Sequence, residues 1–226
     1  MKLRVWLTAL VLILFCLNAN AQEKIIMDDE FLFESNFYIA DVDDSIFDRI
    51  KGKSYKENCT VPLADLRYIK ILHKDFDGTD ARGELICNKA IAEKLLYIFK
   101  ELYKASYKIQ EVSLVDKYNA DDETSMRANN SSCFNFRFIS HTRTVSKHGL
   151  GLAVDINPLY NPYVKTVRGK TYIEPATASQ WVDRSRPNPY KIDHDDLAYR
   201  LFTEQGFEWG GDWDDCKDWQ HFEYSF

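Results

Sequence analysis

The clearest periodic pattern in the chain lies between Asn88 and Ala105. Apolar residues recur there at spacings of three and four, so they fall on one face of a helix. The members of this stripe are Ile91, Leu95, Ile98, Phe99 and Leu102. Asn88 is a suitable N-cap. We therefore expect a helix over this range whose apolar face packs on a core.

Two other segments indicate regular structure. Residues 66–72 are typical of a strand and are followed by the turn-forming residues 75–78, and residues 112–115 predict a second, short strand. Another helix is predicted after Asp193, with a stop at Gly206. Its apolar residues are Leu197, Leu201 and Phe202.

Residues 158–189 are rich in proline and show little periodicity, so they are predicted to form a long loop. Loops of that length in compact domains tend to be functional or mobile. Short strands mixed with separate helices favour an α+β fold over a wound parallel sheet.

The first 21 residues have the features of an export signal. Lys2 and Arg4 precede the almost wholly apolar residues 5–17, and residues 19–21 supply a small-x-small cleavage pattern. The apolar run is too short to span a bilayer comfortably. We expect cleavage before Gln22 and a mature protein in the periplasm or outside the cell.

The amino-acid composition of the remaining chain changes near residue 58. Residues 22–58 are acidic and carry scattered aromatic residues, which predicts a lead-in arm that packs on the domain. Residues 59–226 have a globular composition and are predicted to form the functional domain.

Charge and cysteine content narrow the class of partner. The full chain has a net charge of -6, and loss of Lys2 and Arg4 takes it to -8. This balance argues against nucleic acid and against an anionic membrane surface as partners, and we expect a monomer. Four cysteines remain after cleavage, enough for one or two disulfides of open connectivity in an exported chain. None forms a C-x-x-C pair, which disfavours a four-thiolate zinc site.

The chemistry of the chain is concentrated at His148, Asp155 and His221. Two imidazoles and a carboxylate can hold a tetrahedral Zn²⁺ with one position open, as catalytic sites do. If residues 152–157 form a strand, Leu152, Val154 and Ile156 share the core face while Asp155 faces the opposite side. Gly149 and Gly151 permit the bend that would bring His148 beside Asp155, and Ser146 is placed to hydrogen-bond this loop.

Two carboxylates surround the last histidine. Asp218 lies three residues before His221 and is a candidate base for a metal-bound water. It is out of phase with His221 along an extended chain, so a turn near Trp219 is required. Glu223 shares the face of His221 and is a candidate second-layer partner of its imidazole, with a surface salt bridge as the alternative. The other histidines, His73, His141 and His194, are interpreted as surface or core residues.

These motifs resemble those of a known family. The run SKHGLGLAVDINP is similar to the S-x-H-x-x-G-x-A-x-D motif of the D-alanyl-D-alanine carboxypeptidase and L-alanyl-D-glutamate endopeptidase family of zinc metallopeptidases, and DWQHFE resembles its second signature. The similarity extends over residues 61–224. It implies a small antiparallel sheet with flanking helices, as in the hedgehog/DD-peptidase fold.

The resemblance also implies roles. His148, Asp155 and His221 match the zinc ligands, and Asp218 matches the catalytic base; aspartate there is more similar to the endopeptidase branch. Arg137 matches the arginine of an F-N-x-R segment, where it would polarise the scissile carbonyl or grip a substrate carboxylate. Its alternative is a structural arginine in a loop. The pattern after Arg137, which contains His141, has no counterpart that we can assign.

The implied substrate is the peptidoglycan stem peptide. Several basic residues flank the motifs and would attract muropeptide carboxylates: Arg137, Arg143, Lys147, Lys165 and Arg168. Four aromatic residues are candidates for the cleft wall or the core: Tyr160, Tyr163, Trp181 and Trp209.

Three functions remain open at this point. As an enzyme, the protein would either trim terminal D-Ala or cut the L-Ala–D-Glu bond. A non-catalytic, zinc-stabilised binding module on the same scaffold is the rival, since the hedgehog signalling domain resembles these peptidases. A base at Asp218 favours catalysis, because a binding module does not need one. An exported structural protein without a metal is the third possibility.

Overall fold

The computed structural model describes residues 33–139 and 142–226. The predicted export signal, the start of the predicted arm and His141 lie outside the described residues. Residues 33–37 belong to a separate unit, in which the rings of Phe33 and Phe37 lie 4.8 Å apart. The fold described below is that of residues 38–226.

The described part of this unit contains short strands interspersed with four α-helices. The strands are β1 (Tyr38–Asp41), β2 (Leu66–Lys74), β3 (Asp80–Asn88), β4 (Glu111–Val112), β5 (Asn130–Ser131), β6 (Ala153–Asp155), β7 (Tyr163–Val167), β8 (Lys170–Glu174), β9 (Phe207–Trp209), β10 (Lys217–Asp218) and β11 (His221–Tyr224). The helices are α1 (Asp44–Ile50), α2 (Ala92–Lys104), α3 (Asp122–Arg127) and α4 (Leu197–Glu204).

The strands form three small antiparallel sheets, of order β1-β2-β3, β10-β7-β8 and β6-β11-β9. The short pair β4-β5 is parallel. Small antiparallel sheets with separate helices confirm the predicted α+β class. None of the described helices combines the length and the apolar character needed to cross a membrane.

Residues 38–50, assigned from the sequence to the lead-in arm, supply β1 and α1. Strand β1 pairs with β2, and Ile50 is fully buried in a core that includes Leu66 and Phe136. The segment therefore completes the first sheet and its core. Whether the domain boundary lies at residue 58 stays a prediction.

The predicted apolar stripe is confirmed as core: each of its five residues is at most 1% exposed. Helix α2 starts at Ala92, later than predicted, because Asn88 ends β3 and its Oδ1 accepts from the backbone N–H of Ala90 in a local turn. The second predicted helix is α4, whose N-cap is Asp196. It ends before Gly206, where φ is +88°.

The long loop predicted over residues 158–189 is wrong in part, because it contains the hairpin β7–β8. Arg168 and Gly169 both have positive φ, 50° and 77°. Two such residues make the tight turn whose twist matches a hairpin. Arg-Gly is a weaker hairpin signal than Asn-Gly, and the flanking prolines obscured the alternation.

The disulfides considered for an exported chain are not formed. Cys59, Cys87, Cys133 and Cys216 are free thiols in the structure. Cys87 and Cys133 are buried. Burial raises the pKa of both thiols, which keeps them protonated and unreactive.

Candidate metal centre and active site

His148, Asp155 and His221 meet at one point. One potential ligand atom from each lies within 4.8 Å of the others. His148 and His221 are each 6% exposed, and the carboxylate is partly buried. Among the described residues this is the group of histidine and carboxylate side chains arranged to hold a metal ion.

Strand pairing explains how residues 66 positions apart come together. Asp155 on β6 lies directly opposite His221 on β11, with Val154 opposite Phe222 beside them. Val154 and Phe222 are fully buried, so the alternation of the strands turns Asp155 and His221 away from the core. The predicted phase of Asp155 is therefore observed.

His148 reaches this pair from the turn that precedes β6. Gly151 has φ +69°, and a Cβ there would lie 2.7 Å from the backbone nitrogen of Asn88. At Gly149 a Cβ would lie 2.8 Å from the carbonyl oxygen of Arg137. Ser146 Oγ accepts from the N–H of Gly149 at 2.9 Å, as expected from the sequence. The glycines allow the close packing that fixes the His148 turn.

The outer nitrogen of each imidazole is held by an acceptor. His148 Nδ1 lies 2.7 Å from the carbonyl oxygen of Cys133, so it carries the proton and Nε2 presents its lone pair. His221 Nε2 lies 3.2 Å from Glu223 Oε2, which directs Nδ1 toward Asp155. Glu223 thus lies where a residue that orients a ligand imidazole should lie.

The electrostatics of the group favour a cation at its centre. Burial disfavours the charged form of Asp155, but the two imidazoles outweigh it and hold the pKa of this carboxyl well below its usual range. Burial also disfavours a charged His221, yet hydrogen bonds to Asp155 and Glu223 raise its pKa to about 10. Two carboxylates thus face the His221 imidazole, an environment that favours positive charge.

The donor set fits zinc. Zn²⁺ binds imidazole nitrogen and carboxylate oxygen, and three protein ligands leave a fourth position for a reactant. Both imidazoles have a fixed orientation with one ring nitrogen directed inward. His148 Nε2, His221 Nδ1 and the Asp155 carboxylate are the atoms that would hold the ion.

Asp218 lies beside this group because the chain turns at Trp219 and Gln220, between β10 and β11. The predicted turn is therefore present. Its Oδ1 is shielded from solvent and has no hydrogen-bond partner among the described residues. Burial raises the pKa of Asp218 to about 7; the positive charge of His221 opposes the rise, and the negative charge of Asp155 adds to it.

The three candidate ligands and Asp218 line a cavity of about 710 Å³. Of the basic residues expected to flank it, Arg137, Lys147 and Lys165 line it, whereas Arg143 and Arg168 do not. Most of this positive charge is already paired. Arg137 Nε lies 2.5 Å from Asp122 Oδ2, and Lys147 donates to the carbonyl oxygen of Tyr224 at 2.9 Å.

The aromatic wall differs from the expected set. Tyr163 lines the cavity, but Tyr160 and Trp181 pack against each other with ring centroids 4.7 Å apart, and Trp209 packs on Tyr199. Sequence reasoning missed Phe138, Tyr172 and Trp213, which line the cavity. The ring of Trp213 lies 5.3 Å from that of His221. Its place in GGDW, close to the second motif, was the available signal.

The other histidines lie apart from this site. His73 is buried, and its Nδ1 lies 2.8 Å from the carbonyl oxygen of Ile109. His194 is exposed and lies 2.7 Å from an Asp212 oxygen. For these two residues the structural interpretation agrees with the structure.

Comparison with known proteins supports the resemblance. Residues 140–224 match the model of a family described as D-alanyl-D-alanine carboxypeptidase. The matched segment contains both motifs but begins after Arg137, so it is shorter than the similarity noted over residues 61–224. Members of this family are zinc-dependent metallopeptidases. No curated protein and no solved structure matches the chain.

Proposed function

We propose that the protein is an exported zinc metallopeptidase that hydrolyses peptide bonds in the stem peptides of peptidoglycan. The observation that carries the proposal is the meeting of three ligand atoms and one solvent-shielded carboxylate in a single cavity. The family match over residues 140–224 supports the reaction class. The signal-like first 21 residues support export.

Asp218 is the proposed base. When bound, zinc polarises the scissile carbonyl and lowers the pKa of water. Asp218 accepts a proton from the attacking water as the water oxygen bonds to the carbonyl carbon. When the C–N bond breaks, Asp218 returns the proton to the leaving nitrogen, so a carboxylic acid and an amine are released. Burial raises the pKa of Asp218 above that of an ordinary aspartate, which makes it a better proton acceptor.

Arg137 is the proposed electrophilic partner. The Nε contact with Asp122 anchors the guanidinium, and Arg137 lines the cavity, where its terminal nitrogens would meet a substrate oxygen. Planar, doubly donating groups bind a carboxylate or a developing oxyanion well. Arg137→Lys would keep the positive charge and lose the planar, doubly donating geometry. We therefore propose this variant to separate the contribution of charge to hydrolysis from the contribution of geometry.

A non-catalytic, zinc-stabilised binding module is the alternative. Such a site needs four closed ligands and no base. Here three candidate ligands lie with an Asp218 oxygen that has no partner among the described residues, and leaving a buried acceptor unpaired is costly. This arrangement favours catalysis.

Digestion of purified muropeptides by the zinc-loaded protein, followed by mass spectrometry, tests the proposal. Free D-Ala identifies a carboxypeptidase, and a peptide that begins at D-Glu identifies an endopeptidase. Asp218→Ala is the control for contaminating hydrolases. Zinc binding without hydrolysis of any muropeptide would contradict the proposed activity and support the binding module.

A further inference from the structure

The hairpin β7–β8 extends the sheet that carries the proposed base. Asp218 on β10 lies opposite Tyr163 on β7, and Tyr163 lies opposite Glu174 on β8. Directly opposed residues share a face of the sheet, and all three residues line the cavity. Neighbouring strands are about 4.8 Å apart, which places Glu174 roughly 10 Å from Asp218 across the sheet.

Asn135 contributes an unused acceptor near this end of the cavity. Its Nδ2 donates to the carbonyl oxygen of Ala120 at 3.1 Å and to Asp122 Oδ1 at 2.7 Å. Because both partners are acceptors, the orientation of the amide is fixed. Its Oδ1 is then a buried acceptor without a partner among the described residues. Asn135 is 3% exposed and lines the cavity, so a ligand N–H would satisfy this atom.

The charges around Asn135 leave a negative excess. Arg137 contacts Asp122. Burial raises the pKa of the Glu174 carboxyl, and the positive charge of Arg137 also acts on this group and opposes the rise. Glu123, next in the chain to Asp122, is already paired with Arg127 at 2.7 Å. Two carboxylates against one cation leave a net charge of about -1, which a cationic ligand group would balance.

The other cations of the cavity are held elsewhere. Lys147 Nζ donates to Ser225 Oγ at 2.6 Å and to the carbonyl oxygen of Tyr224. Lys165 Nζ lies 3.6 Å from Asp215. Neither lysine pairs with Asp122 or Glu174 in these contacts, so these carboxylates draw no compensating charge from them.

We propose that Asp122, Asn135 and Glu174 form an ammonium subsite, which binds a primary ammonium group of the substrate. The inference rests on the proposed peptidase function and specifies its substrate class: peptides that carry a free amine near the scissile bond. The Glu174 carboxylate and Asn135 Oδ1 would accept from the N–H donors of an ammonium group. Asp122, whose oxygens already contact Asn135 and Arg137, adds negative charge beside them. An extended peptide advances about 3.3 Å per residue, so roughly 10 Å corresponds to a side-chain amine beside the scissile bond or to an amino terminus about three residues away.

Matched peptides distinguish these two sources. One set carries a diamino acid next to the scissile bond with its side-chain amine free or acetylated, and the other has its amino terminus free or acetylated. We expect the zinc-loaded protein to prefer one free amine over its acetylated form through KM. Glu174→Gln should lower that preference, the ratio of the two kcat/KM values, about tenfold, and the charge reversal Glu174→Lys should lower it further. Hydrogen bonds to charged groups are of this strength.

Glu93→Gln, at an exposed position on α2, is the matched control and should leave the preference unchanged. A preference that survives in both Glu174 variants, or its absence in the unmodified protein, would overturn the subsite. Glu174 is exposed, and a melting curve of each variant excludes unfolding as the cause. If no peptide is cut, the proposed function fails, and titration calorimetry with lysine amide tests the subsite alone. Binding that Glu174→Gln weakens supports it, and equal or absent binding rejects it.

Discussion

At the scale of single residues, Asp155 has the most determined position. Its Oδ1 lies 3.0 Å from His221 Nδ1, and its Oδ2 lies 3.2 Å from His148 Nε2. Each imidazole is fixed in turn from outside, by the Cys133 carbonyl or by Glu223. Because each imidazole has an outer contact that sets its direction, the two rings are already oriented toward Asp155. The predictions for single residues distinguish zinc binding from hydrolysis.

Asp218→Ala should retain zinc and lose hydrolysis, whereas His148→Ala should lose both. A general base contributes about 10²–10⁴-fold to rate, so kcat/KM of the Asp218 variant should fall by that factor. Metal analysis and peptide digestion measure the two properties separately. His194→Ala, at an exposed histidine, should change neither. Hydrolysis that persists in the Asp218 variant would remove it from the role of base.

Glu223→Gln should weaken zinc binding by about 10–100-fold, the usual effect of removing a partner that orients a ligand imidazole. The amide keeps the size of the side chain but lacks its negative charge. Competition with a chelator of known affinity measures the change. Glu208 lies directly opposite Glu223 on β9 and is exposed, so Glu208→Gln is the control. Equal affinities of the two variants would mean that Glu223 is only a surface charge.

At the scale of elements, the turn from Ser146 to Gly151 and the turn between β10 and β11 build the site. The first carries His148 to the edge of β6. The second reverses the chain, so that Asp218 and His221 lie on strands that are consecutive in the chain but belong to different sheets. Both depend on close backbone approach. Asn88 N–H donates to the carbonyl oxygen of Gly151 at 2.8 Å, and a Cβ at Gly210 would lie 2.7 Å from the carbonyl oxygen of Asp218.

Gly151→Ala should destabilise the fold and loosen the His148 turn. The residue has φ +69°, and the added Cβ would lie 2.7 Å from the Asn88 nitrogen. We expect a cost of about 1–2 kcal/mol for the left-handed backbone, with a further loss from the clash. Gly52→Ala, at φ +74° with nothing within 4 Å, isolates the backbone cost. Urea unfolding of both variants measures the difference, and equal losses would show that the close contact relaxes freely.

At the scale of the whole molecule, the carboxylates of Asp155 and Asp218 lie close together, and their repulsion affects the stability of the fold. Asp218 and Asp155 are both partly buried near two imidazoles, and burial raises the pKa of Asp218 to about 7. A folded-state pKa above the unfolded value means that the folded protein holds this proton more tightly. The stabilising contribution is complete below about pH 4, the ordinary range of aspartate, and is lost as pH rises through 7.

In chelator, Asp218→Asn should therefore melt at a higher temperature than the unsubstituted protein at pH 8 and at nearly the same temperature at pH 4. The amide removes the buried charge without a large change of shape, and a difference of a few kcal/mol corresponds to roughly 5–10 °C for a chain of this size. Melting curves from pH 4 to pH 8 measure it. A gap that stays constant across this range would show that Asp218 does not titrate there.

The sequence alone was enough for the class of site and for several elements. The buried stripe of α2, the phase of Asp155 and the turn before His221 follow from local periodicity, which reports the face of a helix or strand directly. Spacing and residue type predicted three zinc ligands and a base, and the structure brings those four side chains to one cavity. The sequence pattern did not predict β3 or the hairpin β7–β8, because strands in polar or proline-flanked segments show little hydrophobic alternation.

Only the tertiary structure decided which side chains share the cavity. Register paired Asp155 with His221 and aligned Asp218, Tyr163 and Glu174 in one row. Packing places Trp213 in the cavity wall. Three aromatic residues expected there pack elsewhere: Tyr160, Trp181 and Trp209. The ion pairs of Arg137, Lys147 and Lys165 reduced the positive charge that their number suggested. Periodicity fixes the direction of a side chain within its own element, but partners distant in the chain are set by strand pairing and packing, which the local pattern does not contain.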